Sequence, residues 1–270
     1  MCDAVRNGGV RSPCEIAVRR DAGSVATVPD NVPRTVVRAG PGRIDVRTAV
    51  AVWGITWVAG QLLFQLVAST SGDTSDDTTL PIANLAVGVV ATWCAYLAGL
   101  WWASDRAGSR NFVSDYGLEF KPIDIVGVPI GLLTQLVVVP LVYVPLRAWW
   151  PDTFSDDRLE ETARDLVDRA DGAAIVVLAL VVVGGAPIVE ELVYRGLLQG
   201  SFVSRISELP ALLAGATWFA IIHFRPVEYP GLFVAGLVFG MCAITTGRLG
   251  MSIVTHAAFN ATGLLMVAAA

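Results

Sequence analysis

Five ionisable residues in the second half of the sequence have the types and spacing of a hydrolytic site. Glu190 and Glu191 are adjacent, and Arg195 follows four positions after Glu191. The two histidines of the chain, His223 and His256, come later. A glutamate can remove a proton from water, and a histidine can orient that water or hold a metal ion that acidifies it. These residues therefore predict a site that activates water.

The sequence around these residues is apolar. From Ala173 to Val189 there is no charged residue, and both histidines lie in apolar segments. An ionisable group inside a membrane is costly, so such groups usually face the protein interior and carry function. The pattern predicts chemistry within a membrane. A soluble surface helix would need no such surroundings.

Helical spacing gives the two glutamates different roles. Residues four apart share one face of a helix, so we expect Glu191 to pair with Arg195. Glu190 is rotated by about 100° from Glu191 and stays available as a general base. Pro187 interrupts the backbone hydrogen bonds just before this pair, and Gly184-Gly185 allow another helix or a substrate to come close.

Two further pairs repeat the spacing of four residues. Phe219 precedes His223, and His256 precedes Asn260. A single histidine on an apolar helix is more often a core residue than a ligand, but here both histidines accompany an intramembrane glutamate pair. A histidine and an amide on one helical face can donate hydrogen bonds to a developing oxyanion. Asn260 alone would indicate interhelical hydrogen bonding.

Composition places the chain in a membrane. Of 270 residues, 54% are hydrophobic and only 16% are charged, whereas soluble domains average about a quarter charged. The net charge of −5 provides no basic face, so no nucleic-acid partner is expected. Residues 1–45 are polar and are predicted to be a disordered tail.

The apolar segments predict an all-α, polytopic transmembrane helix bundle with about seven spans, within a range of six to eight. Residues 46–122 hold the N-terminal transmembrane helices. Arginines in alternate loops favour a cytoplasmic N terminus in the plasma membrane of a prokaryote. The predicted spans are Thr48–Ser69, Pro81–Ala103, Ile123–Leu146, Gly172–Leu198, Pro210–His223, Gly231–Thr246 and Met251–Ala270.

Two structural questions follow from these boundaries. As drawn, His256 lies near the cytoplasmic end of its span and His223 near the outer end, so their convergence requires a short, tilted or displaced fifth span. Residues 152–171 form an acidic segment with apolar residues at helical spacing. This segment is predicted to be a helix on the membrane surface, where it would either gate or recruit a partner, or act as a solvated cover.

The segments EELVYRG, FAIIH and HAAFN closely resemble, in this order, the CAAX-processing and bacteriocin-processing (CPBP, or Abi) family of intramembrane proteases. This family includes the type II CAAX prenyl endopeptidase. The resemblance covers about residues 123–265, so residues 123–270 are expected to form the protease core. It implies that Glu190 and His223 activate water and that His256 and Asn260 stabilise the oxyanion. It gives a supporting role to Glu191, Arg195 and Phe219.

The resemblance implies an endopeptidase that cleaves a membrane-associated or lipidated protein or peptide, with the lipid bilayer as its environment. It leaves two mechanisms open: a zinc ion held by Glu190, His223 and His256, or a metal-free reaction that depends on glutamate. Two other functions also stay open from the residues alone. One is a non-catalytic membrane scaffold or regulator, and the other is a proton-coupled transporter.

Overall fold

The structure, a computed structural model, describes residues 44–70 and 80–269. Every regular element in these ranges is a helix, which confirms the all-α prediction. The predicted polar tail lies outside the described residues except for Ile44 and Asp45. Nine helices form in the two ranges: α1 (Val46–Thr70), α2 (Ile82–Ala107), α3 (Phe112–Tyr116), α4 (Pro122–Trp149), α5 (Asp156–Asp168), α6 (Ala173–Val203), α7 (Glu208–Ile221), α8 (Tyr229–Thr246) and α9 (Gly250–Ala268).

The first described residues belong to the folded part of the chain. Ile44 is buried in the apolar core, and the Asp45 carboxylate accepts hydrogen bonds from the amides of Arg47 and Thr48. Asp45 therefore caps the N terminus of α1. Hydrogen bonds from the Thr48 side chain and amide lower the pKa of Asp45. Ile44 and Asp45, the last two residues of the predicted tail, therefore belong to the folded part of the described chain.

Six helices in the described ranges, α1, α2, α4, α6, α8 and α9, are long and apolar enough to cross a membrane. The prediction of about seven spans is close to this count. The predicted span Pro210–His223 corresponds to α7, which has only 14 residues. This helix ends at Ile221 because the backbone then turns, with a positive φ of 54° at Phe224.

Small residues bring the helices around the site into close contact. A Cβ atom placed on Gly131 of α4 would lie 2.3 Å from the carbonyl oxygen of Thr255 on α9. One placed on Gly236 of α8 would lie 3.1 Å from the Cα of Ala216 on α7. The first distance leaves no room for a side chain, so glycine sets the separation of α4 and α9, and the second makes the contact between α7 and α8 tight.

One end of the bundle is held by buried carboxylates. Asp115 of α3 accepts hydrogen bonds from the amide (2.9 Å) and hydroxyl (2.6 Å) of Ser109 and from the Ser104 hydroxyl. Asp124, in the first turn of α4, forms a buried ion pair with Arg248 in the turn between α8 and α9. The Asp115 contacts attach α3 to the end of α2, and the ion pair attaches α4 to the turn before α9.

The predicted surface helix at 152–171 is present as α5, and its sequence is strongly amphipathic. None of its residues is fully buried. Ion pairs attach it to the bundle: Arg147 at the end of α4 contacts Asp156 at 2.5 Å, and Arg225 contacts Glu161 at 3.8 Å. The helix therefore rests on the bundle without entering its core.

Candidate active site

Glu190 and Glu191 lie in a part of α6 with unusual backbone geometry. π-Helical turns span Leu180–Gly185 before the pair and Leu192–Gln199 after it. Such wide turns are rare and often occur at functional sites. The two glutamates end the α-helical stretch between these turns, Ala186–Glu191, so successive side chains there keep the usual rotation of about 100°.

Pro187 has a direct consequence for the first π-helical stretch. The amide of Ala186 donates to the carbonyl of Val181, five residues earlier. The next bond of this pattern would join residue 187 to the Val182 carbonyl, but proline has no N–H to donate. The Asn260 side chain on α9 supplies the missing donor, with its Nδ2 2.8 Å from the Val182 oxygen.

Glu191 is completely buried and holds three side chains together. Its Oε1 accepts hydrogen bonds from Arg195 Nη1 at 2.8 Å and from His256 Nδ1 at 2.9 Å. Its Oε2 accepts from the Ser252 hydroxyl. The expected pairing of Glu191 with Arg195 is therefore confirmed. Because the carboxylate is fully occupied by these contacts, it joins α6 to α9 through hydrogen bonds.

Glu190 has a different environment. Its side chain is 27% exposed, and no hydrogen bond joins its carboxylate to another described residue. Its Oε2 lies 3.9 Å from His256 Nε2, which is too far for a direct hydrogen bond. A water molecule could contact both atoms across this gap. The rotation between the two glutamates therefore gives one buried carboxylate and one accessible carboxylate, as the spacing predicts.

The hydrogen bonds of the histidines define which nitrogen is available. His223 Nδ1 lies 2.7 Å from the Phe219 carbonyl oxygen, and that oxygen can only accept. His256 Nδ1 faces the Glu191 carboxylate in the same way. In both rings Nδ1 therefore carries a proton, so Nε2 of the neutral ring is the free acceptor.

Aromatic residues bring the two histidines to the same place. The buried Phe219 ring contacts the His223 ring at 4.9 Å and the His256 ring at 5.8 Å between centroids. Phe239 of α8 stacks on His256 at 4.4 Å with an angle of 18° between the rings. The sequence alone left the convergence of the histidines open. The two histidines can approach each other because α7 is short and ends before His223.

Arg195 connects the Glu191 carboxylate to this aromatic group. Its guanidinium lies 4.5 Å from the centre of the Phe219 ring and donates from Nη2 to the Gly236 carbonyl at 3.1 Å. The side chain is almost completely buried. A buried cation requires a charge partner and hydrogen-bond acceptors, and Glu191 and Gly236 supply them.

Two residues of the site were missed by the sequence interpretation. Ser252 contacts Glu191 and also lies 2.8 Å from the Phe239 carbonyl oxygen. Ser252 lies four residues before His256, so the helical spacing that joins His256 with Asn260 could have found it. Phe239 lies in an apolar helix with no distinguishing neighbour, and nothing in its sequence context indicated a contact with His256.

The donor set for a metal ion is not assembled. Among the residues that the structure describes, no group of three or more His, Cys, Asp or Glu side chains is placed to hold a metal ion. The predicted ligands Glu190, His223 and His256 do not form such a group either. His256 also directs Nδ1 to Glu191 and leaves only Nε2 for other contacts. The arrangement of these side chains therefore does not fit the predicted zinc site.

Comparison with known proteins supports the resemblance of the three motifs. Residues 172–262 match a protein-family model described as Type II CAAX prenyl endopeptidase Rce1-like. No curated protein and no solved structure matches the chain. The matched segment, about one third of the chain, contains all seven residues of the predicted site. Residues 172–262, which carry the paired glutamates and both histidines, are therefore similar to the Rce1-like type II CAAX prenyl endopeptidases.

Proposed function

We propose that this integral membrane protein is an intramembrane endopeptidase that hydrolyses a peptide bond of a membrane-associated or lipidated protein. The observation that carries the proposal is the division between the two glutamates. Glu191 is buried and occupied by Arg195, His256 and Ser252. Glu190 is accessible and lies beside the free nitrogen of His256. A general base needs this combination of access and a fixed neighbour.

In the proposed reaction, Glu190 takes a proton from a water molecule that His223 Nε2 helps to orient. The resulting hydroxide forms a bond to the substrate carbonyl carbon, whose oxygen becomes an oxyanion. Collapse of this intermediate breaks the C–N bond, and Glu190 returns its proton to the departing nitrogen. The products are a carboxylic acid and an amine, and the carboxylate of Glu190 is regenerated.

Asn260 and His256 are the proposed donors to the oxyanion. Asn260 uses one Nδ2 hydrogen for the Val182 carbonyl and keeps the second for a substrate. His256 can donate from Nε2 only when its ring carries both protons, because Nδ1 is already committed to Glu191.

The cellular location of the protein is part of the same proposal. We place the protein in the plasma membrane of a prokaryote with a cytoplasmic N terminus, because arginines are concentrated in alternate loops. Glu190 is partly exposed and lies among apolar helices, and this position suits a substrate that arrives through the bilayer. Such a site keeps bulk water away from the reacting bond.

The test needs no knowledge of the substrate. Peptide termini are compared by mass spectrometry across the membrane proteomes of cells that carry equal amounts of wild-type protein, Glu190→Gln or Glu119→Gln. Glu119 is an exposed carboxylate paired with Lys121, outside the site, and serves as the matched control. We expect a set of new termini in the wild type and in Glu119→Gln that is absent in Glu190→Gln. Identical termini in all three strains would contradict proteolysis and favour the scaffold.

A further inference from the structure

A cavity lies beside the candidate active site, beneath α5. Its volume is about 510 Å³, and its walls come from α4, α5, α6, α8 and α9. Pockets for small ligands usually measure roughly 300–1,000 Å³. Most of the lining is apolar, with Leu159 and Leu166 of α5 facing Leu232, Phe259 and Leu264. A space of this size and lining suits an aliphatic chain.

The cavity is separate from the carboxylate site. Its lining includes Asn260 and Val182 but none of Glu190, Glu191 or the two histidines. Asn260, with Gln135, supplies amide groups to an otherwise apolar wall. A ligand in the cavity would therefore lie against the hydrogen bond between Asn260 and Val182 without occupying the space in front of Glu190.

Charged groups at the rim of the cavity are paired with one another. Asp156 contacts Arg147 at 2.5 Å, and Glu160 contacts Arg164 at 2.5 Å. Glu228 contacts Arg225 at 2.6 Å. Burial raises the pKa of Glu228, and the neighbouring Arg225 opposes that rise. The rim therefore carries little net charge, which disfavours a strongly charged chain inside the cavity.

One donor at the rim lacks a partner. Arg147 uses Nη2 for Asp156, while its Nε is buried and makes no hydrogen bond within the described residues. Trp149 and Trp150 follow immediately and are 70% and 54% exposed. Exposed tryptophans at the end of a transmembrane helix are typical of the membrane interface. Arg147 Nε thus lies at the depth where ester and phosphate oxygens of lipids are found.

The cover of the cavity is weakly attached. α5 buries no residue completely, and the ion pairs that hold it involve exposed side chains. Exposed ion pairs contribute only about 0–1 kcal/mol. The apolar face of α5 completes the cavity wall, so an outward movement of this helix would open the cavity to a chain.

We propose that this cavity binds one acyl chain of a bilayer phospholipid, with a head-group or ester oxygen accepting a hydrogen bond from the guanidinium of Arg147, whose side chain is 40% exposed. The apolar lining contacts the chain, and the guanidinium of Arg147 at the interface donates to the oxygen. The bound lipid fills the space between α5 and α9 and supports the wall that contains Asn260. This role goes beyond peptide hydrolysis and does not depend on it.

The test uses purified protein in lipid nanodiscs that contain a phosphatidylcholine with a photoreactive diazirine in one acyl chain. After illumination, labelled residues are mapped by mass spectrometry. Leu264→Trp fills the cavity, whereas Leu265→Trp adds the same side chain at the neighbouring position, where leucine is 68% exposed. We expect labelling of the cavity-facing peptides to fall by about tenfold in Leu264→Trp and to be unchanged in Leu265→Trp.

A second variant tests whether the lower labelling comes from the filled cavity and not from misfolding of Leu264→Trp. Leu166→Trp fills the cavity from α5 and leaves α9 unchanged, so it should reduce the labelling in the same way. Equal labelling in the filled variants and the wild type, or labelling confined to lipid-facing residues, would overturn the proposal. Glu190→Gln should label like the wild type. Loss of peptide hydrolysis and loss of lipid binding are therefore distinguished by different variants.

Discussion

Glu190 and Glu191 are neighbours in the sequence but occupy unlike environments. Glu191 has no exposed surface and bonds to Arg195, His256 and Ser252, whereas Glu190 is partly exposed and bonds to no described residue. Removing one partner from a buried ion pair leaves the other charge without compensation. The two carboxylates should therefore respond differently to the same substitution.

We expect Glu191→Gln to lower the free energy of unfolding by about 3–5 kcal/mol, because the buried Arg195 loses its charge partner. Glu190→Gln should change it by less than about 0.5 kcal/mol, since that side chain is partly exposed and bonds to no described residue. Denaturant unfolding of both variants in the same detergent measures the difference. Equal losses of stability would show that the two carboxylates share one structural role.

Asn260 is predicted to have a structural role through Pro187. Asn260→Ala leaves the Val182 carbonyl without a donor, which should cost about 1–3 kcal/mol. In a Pro187→Ala background, residue 187 regains an N–H that can donate to the same carbonyl. The cost of Asn260→Ala should then fall below about 1 kcal/mol.

Unfolding measurements on the two single variants and the double variant give this coupling. Proteolysis provides the second readout, because a donor to the oxyanion cannot be replaced by a backbone amide at residue 187. Activity should therefore stay low in the double variant while stability recovers. Additive losses of stability would show that Pro187 and Asn260 act independently.

At the scale of the helices, the sequence predicted which residues share a face but not how the faces meet. Helical spacing sufficed for Glu191 with Arg195, since both residues lie on one helix. The meeting of His223 and His256 depends on the length of α7 and on Phe219, which contacts both rings. Those contacts come from packing between helices, and a single sequence contains no direct signal for them.

Gly184 and Gly185 of α6 are a second case in which the sequence did not predict the packing between helices. Both Gly184 and Gly185 were expected to allow close approach. A Cβ on Gly185 would lie 2.2 Å from the ring of Trp93 on α2, whereas one on Gly184 would contact nothing within 4 Å. The sequence marked the position along the helix, but only the packing of α2 against α6 distinguishes the two residues.

Gly185→Ala should therefore destabilise the protein by about 1–3 kcal/mol, because the Trp93 ring must move. Gly184→Ala is the matched control, and it should be neutral or slightly stabilising because alanine favours a helix more than glycine does. Thermal unfolding in detergent compares the two variants. A greater loss of stability in Gly184→Ala than in Gly185→Ala would show that Gly184, and not Gly185, faces the packed side of the helix.

At the scale of the whole molecule, large apolar side chains cover much of the outer surface. Leu62, Leu141, Leu180 and Leu265 are each more than 60% exposed and lie on four different long helices. A soluble protein rarely presents such an extended apolar surface, and lipid is its natural contact. Composition alone predicted this environment. Composition did not predict the exact number of membrane passes, because α7 is shorter than the helices that are long enough to span a membrane.

The number of passes decides where the two ends of the described chain lie. α7 has 14 residues and rises by about 21 Å, and the 18-residue α8 returns from the turn that carries His223. If α7 crosses most of the bilayer, it adds a seventh pass to the six long helices. An odd number of passes places residue 45 and residue 268 on opposite sides of the membrane.

Reporter fusions measure this arrangement. A fluorescent protein that folds only in the cytoplasm and an alkaline phosphatase that is active only outside are fused at residue 45, in the turn at 247–249 and after residue 268. The first two positions should give the cytoplasmic signal, as the arginine distribution favours, and the last should give the external one. If residue 268 reports the same side as residue 45, α7 does not cross the membrane. His223 would then have to reach the neighbourhood of His256 from a re-entrant helix, because both histidine rings contact Phe219.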